Sequence, residues 1–472
     1  MMMRLFLILL ISTTYPCFPF ETLLEEKPKV TIIGAGLAGL TAGYRLQKLG
    51  IPVEIYEARS RPGGRVLTAY FESSYEELGG KSLLDGGDAE TIQALIEEMG
   101  LTTKIDSSQG SRLVGFQNKI YTFSELFKDA PVPNDDLLTS LTHLARSKKS
   151  LGDIIDSIFG KNNALRSLLD VWMRGWEGSD SHSLSPLYID HSFWSIYQTC
   201  YKRAYESPSS LFKTIDGGNT RLIETLAKAL EGHIQYRHPL RKITKGDQGS
   251  ILLHFDGKEP ITTDYLILAL PCSTLRDVSI EETMIPEDQM FAIDTLQYGT
   301  NAKILFPITS GITNLSTQNM STWLNQDSKV MTWYYGGKQG IFDTSCPDEM
   351  AQIIERDIHL VQKVNPHLQF PNGIDPVSIT SGIYTSPVAI SWAQEEFSKG
   401  SYSNYGIDQY LFFNELMEEH GESVRKVFRS VNDRIFFAGE HTALDVPATL
   451  EGAVQSGERA ARMVYHVQSC PH

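Results

Sequence analysis

Apolar positions along the chain change spacing several times, and each change marks an element. Lys29 to Ile33 is a short β-branched run that predicts a strand. After it, Leu37, Leu40, Tyr44 and Leu46 fall along one helix, and Gly50 follows as the residue that ends it. Val53 to Tyr56 predicts the next strand, so the chain opens with the βαβ unit of a doubly wound sheet. Between Ala89 and Gly100, the apolar residues Ile92, Leu95, Ile96 and Met99 repeat at helical spacing. The stretch from Ser111 to Ser209 is mostly helical in pattern and holds an aromatic cluster: Trp172, Trp176, Trp194, Tyr197, Tyr201 and Tyr205. Hydrophobic core is the plainer account of that cluster, because a pocket needs several of these rings on one cavity. Asp216-Gly217-Gly218-Asn219 is a turn into a helix marked by Leu222, Leu226 and Leu230. Tyr265 to Leu270 suits a buried strand stopped by Pro271, and strand-like residues return at Gln297 to Phe306 and Met331 to Tyr335.

At 472 residues the chain is too long for one ordinary core and suggests two to three domains. Apolar and charged fractions of 41% and 21% are those of a soluble globular protein. A net charge of −15 argues against nucleic acid as a partner and favours the approach of cations. Arg4 followed by the apolar run Leu5 to Ile11 resembles a secretory signal, too short for a ~20-residue span. Residues 1–20 are therefore expected to export the protein, to the exterior or a periplasm, with an uncleaved anchor as the alternative. Five scattered cysteines without a CxxC support neither a metal site nor a dithiol motif.

Chemistry first appears at Gly34-Ala35-Gly36-Leu37-Ala38-Gly39. Gly34 allows a tight turn, Gly36 lets the backbone approach a pyrophosphate, and Gly39 allows close helix–strand packing. The helix that begins at Leu37 and Ala38 turns its N-terminus to the anion. Glu57 ends the second strand about 20 residues on, where an acid accepts hydrogen bonds from ribose hydroxyls. Ala58 and Arg59 follow it; Arg59 and Arg65 are placed near phosphates and adenine, and Gly63-Gly64 lets the loop pass close to the cofactor.

The glycine turn and EARSRPGGRV are followed in order by ELGGKS (Glu77 to Ser82), DGGNTRL, NAKILF and SWAQEEFSKGSYS. The last block is FAGEHT…LEGAVQSGERAA. Together they resemble the FAD-dependent amine oxidase family, which includes monoamine and polyamine oxidases, lysine-specific histone demethylases and L-amino-acid oxidases. The resemblance implies an α/β fold: a Rossmann-like FAD-binding domain (28–110, 210–296 and 400–465) interleaved with a substrate domain of mixed sheet and helices (111–209 and 297–399). It places Gly80, Lys81 and Ser82 along the flavin and ribityl chain, Leu240 at the adenine, and Gly439 and Glu440 at the phosphate–ribose region. Thr449 and Leu450 bring a helix N-terminus to the flavin pyrimidine edge, where its dipole stabilises negative charge. Lys303 matches a lysine that holds a water beside flavin N5, and Trp392 and Tyr402 match an aromatic pair flanking flavin and amine.

Three departures from the family pattern refine this expectation. Ser401 stands where covalent-flavin members carry cysteine, so non-covalent FAD is expected. Thr449 stands where a second cage tyrosine is common, which leaves a more open cage. No arginine follows the LGG segment until Arg112, which disfavours amino acids as substrates. The expected function is oxidation of a primary or secondary amine or polyamine to an imine and then an aldehyde, with O2 reduced to hydrogen peroxide. Glu177, Asp180 and Asp85 are candidates to hold a distal ammonium. L-amino-acid oxidation, another oxidation on the same fold, and a non-catalytic FAD-stabilised binding protein remain alternatives. No metal, nucleic acid or membrane span is expected.

Overall fold

A computed structural model describes residues 28–83, 89–106, 113–206, 212–309, 311–377, 379 and 382–469. The signal-like segment and Asp85 lie outside the described residues. Two sheets organise the rest.

The first is a five-stranded parallel sheet in the order Ile435–Phe437, Tyr265–Leu268, Val30–Ile33, Val53–Glu57, Ile234–Tyr236. Its three central-to-edge strands VTII, YLIL and IFF are buried throughout, as expected when helices cover both faces of a parallel sheet. Helices Leu37–Lys48 and Leu450–Ser469 pack against each other beside it. Gly457 makes that approach possible, since a Cβ there would stand 2.4 Å from the Ala38 carbonyl oxygen. The expected helices at 37–46, 89–100 and 220–230 form as Leu37–Lys48, Glu90–Glu98 and Thr220–Ala229.

A seven-stranded sheet is the second. Its order is Val388–Ser391, Ala302–Pro307, Val330–Tyr335, Met320–Leu324, Leu315–Thr317, Leu113–Phe116, Lys119–Thr122. All pairings are antiparallel except that of Leu315–Thr317 with Leu113–Phe116. The last two strands interrupt a stretch whose pattern predicts helices; their short hairpin carries too few residues to show a period of two. The strand expected over 297–306 is broken at Gly299-Thr300 into Gln297–Tyr298 and Ala302–Pro307. Two short pairings cross between the layers, Thr68–Phe71 with Ile383–Tyr384 and Gln297–Tyr298 with Ser403–Asn404.

Helices Asp135–Ala145, Leu151–Phe159, Ala164–Glu177 and Trp194–Tyr205 complete the second half. The aromatic cluster divides there. Tyr197 is fully buried in a core with Phe127, Phe159 and Phe193, and Trp172, Trp194 and Tyr201 pack on it. Tyr205 is exposed, and only Trp176 of the six reaches the main cavity. Among the described residues, no helix is long and apolar enough to cross a membrane.

Candidate active site

A cavity of about 710 Å3 runs between the two sheets, a size that suits a small-molecule or cofactor site. One end is built of backbone. The first strand ends at Gly34 with φ +104, and Gly36 caps the following helix in extended conformation. The Glu57 carboxylate accepts the N–H of Ala35 (2.8 Å) and of Arg59 (2.9 Å), tying the turn to the end of the second strand. Gly39 faces away from the cavity: a Cβ there would lie 1.9 Å from the Gly34 carbonyl oxygen. A Cβ on Gly36 would meet nothing within 4 Å, so its backbone is open to a ligand.

Leu37, Ala38, Ala58, Gly63, Gly64, Gly80, Ser82, Leu240, Gly439 and Leu450 all line this cavity with Gly34, Gly36 and Glu57. Gly39 is the one expected cofactor residue that does not, and its role is helix–strand packing. The two arginines line the wall but are already engaged. Arg59 binds Glu395 and donates to Ser398 Oγ (2.9 Å). Arg65 donates to Ser401 O (2.6 Å) and to Glu440 Oε1 (2.9 Å). Glu440 also accepts from Ser403 N and Oγ and from Ala448 N. Burial pushes its pKa up, but Arg65, His441 and Ser403 outweigh burial and hold it below the ordinary range. Glu440 is thus a buried anion that clamps the 401–403 segment to the loop before the last helix. Lys81 lines the cavity as well, and its ammonium pairs with Glu76 (3.1 Å) and Asp106 (3.3 Å).

Thr449 Oγ1 accepts the N–H of Gly452 (2.9 Å) and donates to Val446 O (2.8 Å). Its hydroxyl is spent as the cap of the last helix, whose first residues reach the cavity at Leu450 and Ala453. Two helix N-termini, at Leu37 and Leu450, therefore converge on one space.

Side chains build the other end. Lys303 lies on strand Ala302–Pro307, opposite Tyr334 in the antiparallel register. Its Nζ donates to the carbonyl oxygens of Glu77 (2.7 Å) and Gly79 (2.8 Å). Burial, countered in part by Glu76 and Glu77, pulls this ammonium below the ordinary lysine range. Burial also raises Glu77, whose carboxylate accepts from Asn219 N and Thr68 Oγ1. Trp392 is buried and donates its indole N–H to Leu78 O (3.1 Å). Tyr402 Oη donates to Gly175 O (2.8 Å), and Tyr334 Oη donates to the same carbonyl (3.2 Å).

Tyr334 and Trp323 were not singled out from the sequence, yet both rings line the cavity, 5.1 Å apart and edge to face. The Lys303 ammonium lies 5.7 Å from the Tyr334 centroid and 5.9 Å from that of Trp323. Strand alternation was the available signal. In Val330–Tyr335, Trp333 faces the core and Tyr334 the cavity.

Helix Ala164–Glu177 supplies the end wall. Gly178 stops it with φ +73, which leaves Gly175, Trp176 and Glu177 on the cavity. No ion pair reaches Glu177 among the described residues, and burial pushes its pKa up to about 7. Asp180 instead accepts from Lys338 N (3.1 Å) and lies near Arg174 (3.7 Å), away from the cavity.

A profile of flavin containing amine oxidoreductases matches residues 37–465. The chain is 28% identical to lysine-specific histone demethylase 1 homolog 2 of Arabidopsis thaliana, over 93% of this chain and 58% of that protein. It is 23% identical to the flavin-containing amine oxidase A of Sus scrofa, over 92% of this chain and 84% of that one. The chain thus spans under two thirds of the length of the plant demethylase homologues. Putrescine oxidase bound to putrescine superimposes with a TM-score of 0.67 at 18% identity, covering 92% and 98% of the two chains. Cyclohexylamine oxidase from Brevibacterium oxydans gives 0.67 at 17% identity, covering 93% and 99%. These likenesses establish the shared fold. The cavity fits a flavin dinucleotide: Gly36 leaves a phosphate-sized approach open, and both helix N-termini face it.

Proposed function

The chain belongs to the flavin containing amine oxidoreductases, and on that premise we propose that it oxidises a small diamine or other primary or secondary amine, passing electrons to O2. The product is an iminium that water hydrolyses to an aldehyde, with hydrogen peroxide as the co-product. The bound FAD supplies acceptance of a hydride equivalent and its transfer to oxygen. The protein's own residues bind, orient and desolvate.

Tyr334, Tyr402, Trp323 and Trp392 give the amine an aromatic enclosure, which attracts a cation by about 0.5–2 kcal/mol. Gly175 O fixes both tyrosine hydroxyls, so the rings hold their place as the amine arrives. Lys303, desolvated below its usual range, is equipped to take the proton that an ammonium must shed before its nitrogen can push on the Cα–H bond. The observation that carries a diamine is Glu177: a buried carboxyl on the cavity with no ion pair among the described residues. A second ammonium on the substrate supplies a cation for it. Three further readings rest on sequence. Ser401 beside Tyr402, and the absence of any described cysteine from the cavity wall, support non-covalent FAD. The apolar run after Arg4 supports export, and the acidic balance supports steering of cationic amines.

Anaerobic mixing with a panel of diamines, monoamines, amino acids and a methylated lysine peptide tests this. Diamines should bleach the flavin fastest, and acid precipitation should release it from the protein. Bleaching by amino acids alone, or by the peptide alone, overturns the substrate reading.

A further inference from the structure

A second cavity, about 60 Å3, adjoins the first and has room for a few waters. Its wall carries Glu76, Glu77, Lys81, Lys104, Asp106 and Asp327. Among the described residues, Lys81 is the one that lines both cavities. Its ammonium bridges Glu76 and Asp106 and lies 5.6 Å from the Trp323 centroid, the ring that Lys303 also approaches. The side chains of Glu76 and Asp106 are 2% and 6% exposed, so this is a charged file inside the protein that reaches half-buried Gln326 and exposed Asp327.

Lys303 lines the first cavity, and the Trp323 ring neighbours both its ammonium and that of Lys81. Lys303 Nζ meets two backbone carbonyls, which is as many as the two hydrogens of a neutral amine can serve. The nitrogen lone pair is then free to accept a proton. The charged groups facing it are Glu76, Glu77 and Lys81, with Tyr334 and Trp323 as the aromatic neighbours.

We propose that the second cavity is a proton inlet, and that Asp106, Lys81 and Glu76 carry protons between solvent there and Lys303 in the first cavity. The proposal rests on the amine-oxidase reading for its proton count. An amine arrives as R–CH2–NH3+ and gives one proton to Lys303 Nζ. The Cα–H bond then breaks with its electron pair leaving as hydride, and a C=N bond forms to give the iminium. The hydride, one proton and O2 together make H2O2. One proton is therefore taken up and one returned in each turnover, at different times. Lys303 can hold that proton across the interval, and a route to solvent that avoids the occupied substrate space lets it lose and regain the proton while substrate is bound. The Glu76–Lys81–Asp106 file is such a path. These three are positioning residues that act through Lys303.

The test uses holoenzyme carrying lysines 13C-labelled at Cε, with the Lys303 resonance assigned by its loss in Lys303→Met. In Glu76→Gln the Lys303 titration midpoint should fall by about one unit or more, and in Asp106→Asn by less, because each removes a nearby negative charge. Midpoints unmoved in both folded variants overturn the inlet. In a separate arm, enzyme reduced with dithionite is mixed with O2. Asp106→Asn should slow reoxidation by about tenfold, and small permeant acids such as formate should restore it. A slowing that formate does not relieve assigns Asp106 a structural role and overturns the proposal. Neither arm uses an amine. Failure of the amine reading appears independently, as wild-type flavin that no amine bleaches.

Discussion

The two ends of the cavity are made by different means. At the dinucleotide end, backbone does the recognition, and its critical positions, 34 to 39 and 57 to 65, lie within one supersecondary unit. At the amine end, side chains do it. Gly175, Glu177, Lys303, Trp323, Tyr334, Trp392 and Tyr402 come from a helix end, three strands and two loops that meet only in the folded protein. A backbone site is local because a turn is local. A side-chain site depends on sheet register, since slipping one strand by a residue turns its whole cavity face away.

That contrast can be broken most forcefully at Gly39. Gly39→Val forces atoms onto the Gly34 carbonyl, and overpacking of this kind costs about 3 kcal/mol. Expression should yield little soluble protein and no flavin absorbance. Gly36→Ala should keep the melting temperature and weaken FAD by about tenfold, ~1.4 kcal/mol, as titration of apoprotein would show. If both variants behave alike, the division between a packing and a ligand glycine is wrong.

At the other end, Lys303→Met should retain FAD yet slow flavin reduction or reoxidation by about tenfold or more in stopped flow. Unchanged kinetics remove Lys303 from the chemistry.

Glu177 tests the side-chain end through pH. Its folded pKa of about 7 lies above the ordinary 4.5, so the folded protein binds that proton more tightly than the unfolded chain. Stability should fall as pH rises through that window and level off above it. Glu177→Gln should remove this share of the slope, leaving the variant roughly 3 kcal/mol more stable relative to wild type at pH 8 than at pH 4. The same variant should raise KM for diamines and spare monoamines. Equal effects on both substrates would dissociate Glu177 from a distal ammonium.

Smaller effects are expected from Tyr402→Ala, about tenfold in kcat/KM with FAD retained. Thr449→Ala should cost about 1 kcal/mol in a denaturant melt, and Thr449→Ser should restore it, because the hydroxyl caps a helix.

Much of this was legible in the chain itself. The glycine spacing and Glu57 marked the dinucleotide end, because glycine requirements are written residue by residue. Lys303, Trp392 and Tyr402 could be placed by resemblance, and all three line the cavity. Tyr334 and Trp323 escaped notice because alternation sorts the two faces of a strand but does not say which face meets Lys303; that follows from the cross-strand register, which sets Tyr334 opposite Lys303 itself. The engagement of Arg59 by Glu395 and of Arg65 by Glu440 was equally hidden: those partners are separated by 336 and 375 residues. Lys81 showed the same limit, since its spacing says nothing of Asp106 across the fold.

The packing of the first helix against the last has a consequence for synthesis. Arg45 holds Glu458 from 413 residues away, and Gly457 seats against Ala38. During synthesis Arg45 emerges 413 residues ahead of the Glu458 that binds it. The nascent chain must wait with that face bare over this interval. Closure of the cofactor chamber therefore waits on contacts of long sequence separation, which are slow to form.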